Sequence, residues 1–125
     1  MKRDGLGEDA RARSVWEGGL AARAGHDHAV PGARALPLTG ELDLADRPQL
    51  RHAASRALAE RPTEVLVVDM TRVSFFDSSV AHWLLEAHWQ ATAGGTRVVV
   101  LVADRDSREM LSMLGVAGVV SVVDG

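Results

Sequence analysis

Val73-Ser74-Phe75-Phe76-Asp77-Ser78-Ser79-Val80 is an apolar run that stops at one acid and two hydroxyls. A helix follows it. Val80, Ala81, Leu84, Leu85 and Ala91 give the stretch from Ser78 to about Ala93 a wide apolar face, and Gly94-Gly95 supplies a stop. A serine at such a junction can cap the helix, satisfying one of its unpaired N–H groups for about 1 kcal/mol. It can also carry a phosphate, which would make the chain a switch.

On either side of this junction strands and helices alternate. Val65-Leu66-Val67-Val68 and Val98-Val99-Val100-Leu101-Val102 are continuous, β-branched-rich runs of strand length, the pattern of strands covered on both faces. A third helix carries Met110, Leu111 and Leu114, with an acidic start at Asp104 or Asp106 and Gly115 at its end, and Val119 to Val123 forms the last strand. Upstream, Ala33 to Leu38 reads as a strand that ends at Thr39-Gly40, with Pro37 requiring an edge or a bulge because it has no N–H to donate. Leu50, Ala54, Ala57 and Leu58 recur at helical spacing in a first helix, with Asp46 as its expected cap, Pro48 in its first turn and Arg61-Pro62 at its end. Gly19 to Ala24 reads as a weak edge strand followed by a turn, and residues 1–18 as a loosely docked tail.

The order is β-β-α-β-α-β-α-β. Right-handed crossovers then give one α/β domain over residues 19–125, with a mixed, mostly parallel sheet of about five strands and three main helices. The 125 residues, 46% of them hydrophobic and 25% charged, suit a single core.

Composition excludes several function classes. The net charge is −3 and the basic residues, thirteen arginines and Lys2, are spread along the chain, so no footprint for nucleic acid is expected. Cysteine is absent, which removes thiol chemistry. No apolar run approaches the ~20 residues that span a bilayer, and the N-terminus lacks a signal-peptide core, so a cytoplasmic protein without membrane insertion is expected.

Candidate chemistries reduce to few residues. Asp69 and Asp77 are read as acids that cap or order loops, because strand-terminal carboxylates commonly do so. Asp77, Ser78 and His82 lack the elbow and oxyanion loop of a hydrolase, and His82 is placed to face Glu86 at i+4. His26-Asp27-His28 has metal-ligand residue types but no third ligand, while His82 and His88 fall on different helical faces. No metal, cofactor or catalytic residue is assigned, and the chain is not expected to be an enzyme. Trp83 and Trp89 either pack on the sheet or anchor a partner.

Three segments together resemble the STAS domain, the family of sulfate transporters and anti-sigma factor antagonists. They are Leu38-Thr39-Gly40-Glu41-Leu42-Asp43, Val68-Asp69-Met70 with Val73 to Ser79, and Met110-Leu111-Ser112-Met113-Leu114-Gly115-Val116. The resemblance covers roughly Gly32 to Val123. It implies an anti-sigma factor antagonist in a partner-switching cycle that controls transcription. The unmodified protein would bind an anti-sigma factor with serine kinase activity and release sigma; phosphorylation at Ser78 would end binding until a phosphoserine phosphatase restores it. It also implies a binding surface containing Asp43, Asp77, Ser78 and Ser79, with Val80 and Trp83 beside them. Val80 stands where most members carry glycine, so its bulk is expected near the surface a kinase approaches. A second implication is a STAS docking subunit of a stressosome-like or ABC lipid-transport complex, without phosphorylation.

Overall fold

A computed structural model describes residues 32–59 and 63–125. The expected tail over 1–18, the edge strand at 19–24 and the His26–His28 turn lie outside the described residues. Within them the order is β1 (Ala33–Leu42), a 3-10 turn (Leu44–Asp46), α1 (Arg47–Ala59), β2 (Val65–Phe76), α2 (Ser78–Ala93), β3 (Arg97–Val102), α3 (Arg105–Met113) and β4 (Ser121–Asp124). The four strands are all parallel and lie side by side in chain order.

That order fixes the layers. Successive right-handed crossovers between adjacent strands put every helix on the same face of the sheet. Side chains alternate accordingly: Leu36, Leu66, Val68, Val98, Val100 and Val102 join Leu50, Ala54, Leu84, Ala87 and Leu111 in the core. Val65, Val67, Val99 and Leu101 point to the opposite face and are only half-buried. The continuous apolar runs are therefore strands with one fully covered face, a difference from the two-sided burial expected from their composition.

β2 runs past the predicted Val68 to Phe76, although Asp69 and Thr71 interrupt its apolar pattern. Asp69 is 4% exposed, yet its carboxylate accepts hydrogen bonds from Thr71 N–H at 2.9 Å and Thr71 Oγ1 at 2.6 Å. The strand thus satisfies its own buried acid at a place where the ladder with β1 slips. A second slip follows between Gly40 and Glu41. Each slip gives β2 one extra residue, and one slip alone would turn the end of the strand inside out. Two restore the alternation, so Leu42 and Phe76 pair with each other and are both buried. Pro37, on the outermost described strand, sits at the first slip, where its missing N–H is tolerated. Gly40 adopts φ 84° beside the second, a conformation that costs other residues about 1–2 kcal/mol.

β3 pairs with β2 only as far as Asp69. Among the described residues, β2 from Met70 to Phe76 pairs with β1 alone, and this two-strand ribbon projects past the carboxyl end of β3.

Candidate functional site

The ribbon ends in two adjacent acids. Because Leu42 and Phe76 are register partners, Asp43 and Asp77 directly follow the ends of neighbouring strands at the carboxyl edge of the sheet, where open α/β sheets commonly bind their ligands. Asp43 caps the 3-10 turn: its Oδ1 accepts from Ala45 N–H at 2.9 Å, and Asp46 Oδ2 accepts from Asp43 N–H at 2.8 Å in return. Asp46 is thus the second half of a capping box and not the cap expected from sequence; the turn inserted before α1 moves the cap back three residues.

Asp77, and neither serine, is the N-cap of α2. Its Oδ1 accepts from Ser79 N–H at 3.0 Å, Val80 N–H at 3.3 Å and Ser79 Oγ at 2.5 Å. Burial pushes the carboxyl up, but the Ser79 hydroxyl, the Val80 and Ser79 amides and the Leu44 N–H together hold it below its ordinary value. The Leu44 contact ties the Asp43 turn to the α2 junction.

The two serines part company here. Ser79 has its hydroxyl committed to Asp77 and is half-buried. Ser78 occupies the first helical position, is exposed, and makes no side-chain hydrogen bond among the described residues.

Two residues placed beside the binding surface are buried, Trp83 in the packed one of its two expected positions and Val80 against expectation. Val80 is 0% exposed and Trp83 is 1% exposed, both within the core cluster. Positions 80, 83, 84, 87 and 91 form the face of α2 that packs inward. Val80 puts no bulk at the junction. Of the two rings, Trp83 packs into the core and Trp89 is exposed.

Two apolar residues at this edge escaped the sequence reading. Leu44 is 62% and Phe75 54% exposed, and they belong to the turn beside Asp43 and the strand end before Asp77. Phe75 had a signal: adjacent residues on a strand face opposite ways, so Phe75 and Phe76 cannot both be core. His82 faces Glu86 as expected, at 3.6 Å, but Glu86 is also held from α1 by Arg47 at 2.7 Å and Arg51 at 3.1 Å. The hydrogen bond from Arg51, reinforced by Arg47, keeps Glu86 below the usual carboxylate range against its partial burial. Among the described residues no group of three metal-ligating side chains converges, and no helix is long and apolar enough to cross a membrane.

The STAS domain family model matches residues 27–124, more than three quarters of the sequence. The chain belongs to the STAS domain family. Solved structures agree on the fold. The anti-sigma factor antagonist SpoIIAA in its unphosphorylated form is similar, with a TM-score of 0.59 at 23% identity over 77% of this chain and 83% of that one. A sulfate transporter family protein from Wolinella succinogenes has a TM-score of 0.66 at 18% identity, over 76% of this chain and 79% of its own. The phosphorylated form of SpoIIAA, described as a Bacillus cell fate determinant, gives 0.56 at 22%, over 74% and 84%. A comparison with curated proteins finds no match.

Proposed function

We propose that this STAS domain is an anti-sigma factor antagonist, a non-enzymatic module that binds an anti-sigma factor with serine kinase activity and so frees a sigma factor. The observation that carries this reading is the uncommitted, exposed hydroxyl of Ser78 beside the committed one of Ser79. A kinase can take up Ser78 without breaking a cap, whereas Ser79 would have to leave Asp77. Ser78 is the phosphoacceptor, and the nucleotide and its chemistry belong to the partner.

Asp43, Asp77 and Ser78 form the polar part of the partner surface, with Ser79 holding its geometry. Leu44 and Phe75 supply the apolar contacts that Val80 and Trp83, being buried, cannot. A phosphate adds ≈ −1.5 to −2 charges beside two carboxylates already present, which disrupts the partner contact without unfolding the domain. A phosphoserine phosphatase resets the cycle in the cytoplasm. Incubation with a cognate anti-sigma kinase and ATP, followed by mass spectrometry of the Ser78 peptide, tests the reading; no phosphate with any cognate kinase would sink it. A second reading, implied by the family resemblance, is a docking subunit of a stressosome-like or lipid-transport assembly, in which the same edge binds without modification.

A further inference from the structure

Resting on the reading of Ser78 as phosphoacceptor, we infer that His82 is the residue that receives the phosphate, letting go of Glu86 to pair with it one helical turn back. The capped end of α2 leaves few donors for an anion. The amides of Ser79 and Val80 are bound to the Asp77 carboxylate, and those of Val80 and Ala81 reach the Asp77 carbonyl at 3.1 and 3.3 Å. The usual attraction of a helix N-terminus for phosphate is therefore already spent on Asp77, whose charge repels a second anion.

The cations nearby are unequally committed. Arg47 and Arg51 on α1 both hydrogen-bond Glu86, at 2.7 Å and at 3.1–3.2 Å. His82 lies 3.6 Å from the same carboxylate, longer than a hydrogen bond, and its side chain is 63% exposed. Glu86 thus keeps two arginines when His82 leaves. Residues 78 and 82 are four apart on the exposed face of α2, where Cβ atoms stand about 5–6 Å from one another, and an anion N-terminal to a cation is the favoured order.

Among the described residues, the charged groups near this pair include Asp77 at the cap, Asp43 in the neighbouring turn, and Glu86 with its two arginines. Among these described residues Arg47 and Arg51 are hydrogen-bonded to Glu86, whereas His82 stands beyond hydrogen-bond distance from it and can turn toward residue 78.

Phosphoserine inserted at residue 78 of the full chain during synthesis permits a test that needs no kinase. The phosphorus NMR titration of this protein is compared with that of the same protein carrying His82→Ala or His82→Arg. Pairing lowers the phosphate midpoint of the unsubstituted protein by about 0.3 pH unit relative to His82→Ala. His82→Arg restores the lowering, and 1 M salt shrinks it. Thermal melts check that all three proteins stay folded, as expected for an exposed side chain. Equal midpoints in the three proteins would overturn the inference, whereas a Ser78 that no kinase modifies would overturn the proposed function and leave this result standing.

Discussion

Replacing Asp77 by alanine removes the cap of α2 and the link to the Asp43 turn together. Losing an acidic N-cap costs about 1 kcal/mol, and the range reaches about 2. The Leu44 amide also loses its charged acceptor; because solvent reaches this edge, that adds only about 0.5–1 kcal/mol, the low end for a hydrogen bond. The expected total is about 2 kcal/mol, which lowers the melting temperature by roughly 8–16 °C in a domain of this size. Urea unfolding followed by circular dichroism measures it as a lower midpoint at unchanged slope. Asp77→Asn separates capping from charge, since asparagine caps about as well as aspartate and should stay within about 0.5 kcal/mol of the natural protein. If alanine left the midpoint unmoved, or if asparagine cost as much as alanine, Asp77 would not act as the cap the geometry describes.

Other perturbations test the remaining parts of the structure. Val80→Gly should cost about 3 kcal/mol from lost burial and helix propensity, while kinase modification of Ser78 proceeds as before; faster modification of the glycine variant would place Val80 back at the surface. Gly40→Ala should cost about 1–2 kcal/mol purely through its positive φ, since nothing lies within 4 Å of the added carbon, and a neutral result in urea would contradict the turn. Leu44→Ala and Phe75→Ser should weaken anti-sigma binding at least tenfold by calorimetry with melting temperatures little changed, because both side chains are exposed. Asp77, Glu86 and Asp104 are all held below their ordinary values in the folded chain. Their contribution is complete above their unfolded pKa values near 4 and is lost as pH falls through the folded ones. The urea midpoint should therefore drop between pH 5 and 3, and a flat profile there would refute the carboxylate assignments.

Periodicity made the three helices and the paired runs at Val65–Val68 and Val98–Val102 legible, because a buried strand and an amphipathic helix leave different spacings in a sequence. The far half of β2 was harder to read. Asp69 and Thr71 look like the end of a strand, and only their mutual hydrogen bonds, with the two slips in register, carry it on to Phe76. The junction at Asp77-Ser78-Ser79 was visible as a capped helix start, but which residue caps depends on side-chain rotamers that spacing cannot reveal. Trp83 and Trp89 are six positions apart on one helix, so at most one can face the sheet squarely; the choice between them required the direction of the inner face, which Val80, Leu84, Ala87 and Ala91 supply once the helix is docked.

The two-strand ribbon gives the junction an opening equilibrium of its own. Over the roughly 20 Å from Met70 to Phe76, one ladder of backbone bonds among the described residues and a few buried side chains, Leu42, Val73 and Phe76 among them, hold the end of β2 in the sheet. Strands hydrogen-bonded on both sides open only with the whole domain, but a segment anchored this thinly can fray alone at a fraction of the global free energy. Amide protons near Arg72 to Phe76 should accordingly exchange faster than those of Leu66 and Val68 on the same strand. A partner that must draw Ser78 into its own catalytic cleft would then bend a tip that already visits open states, while the framework behind it stays closed.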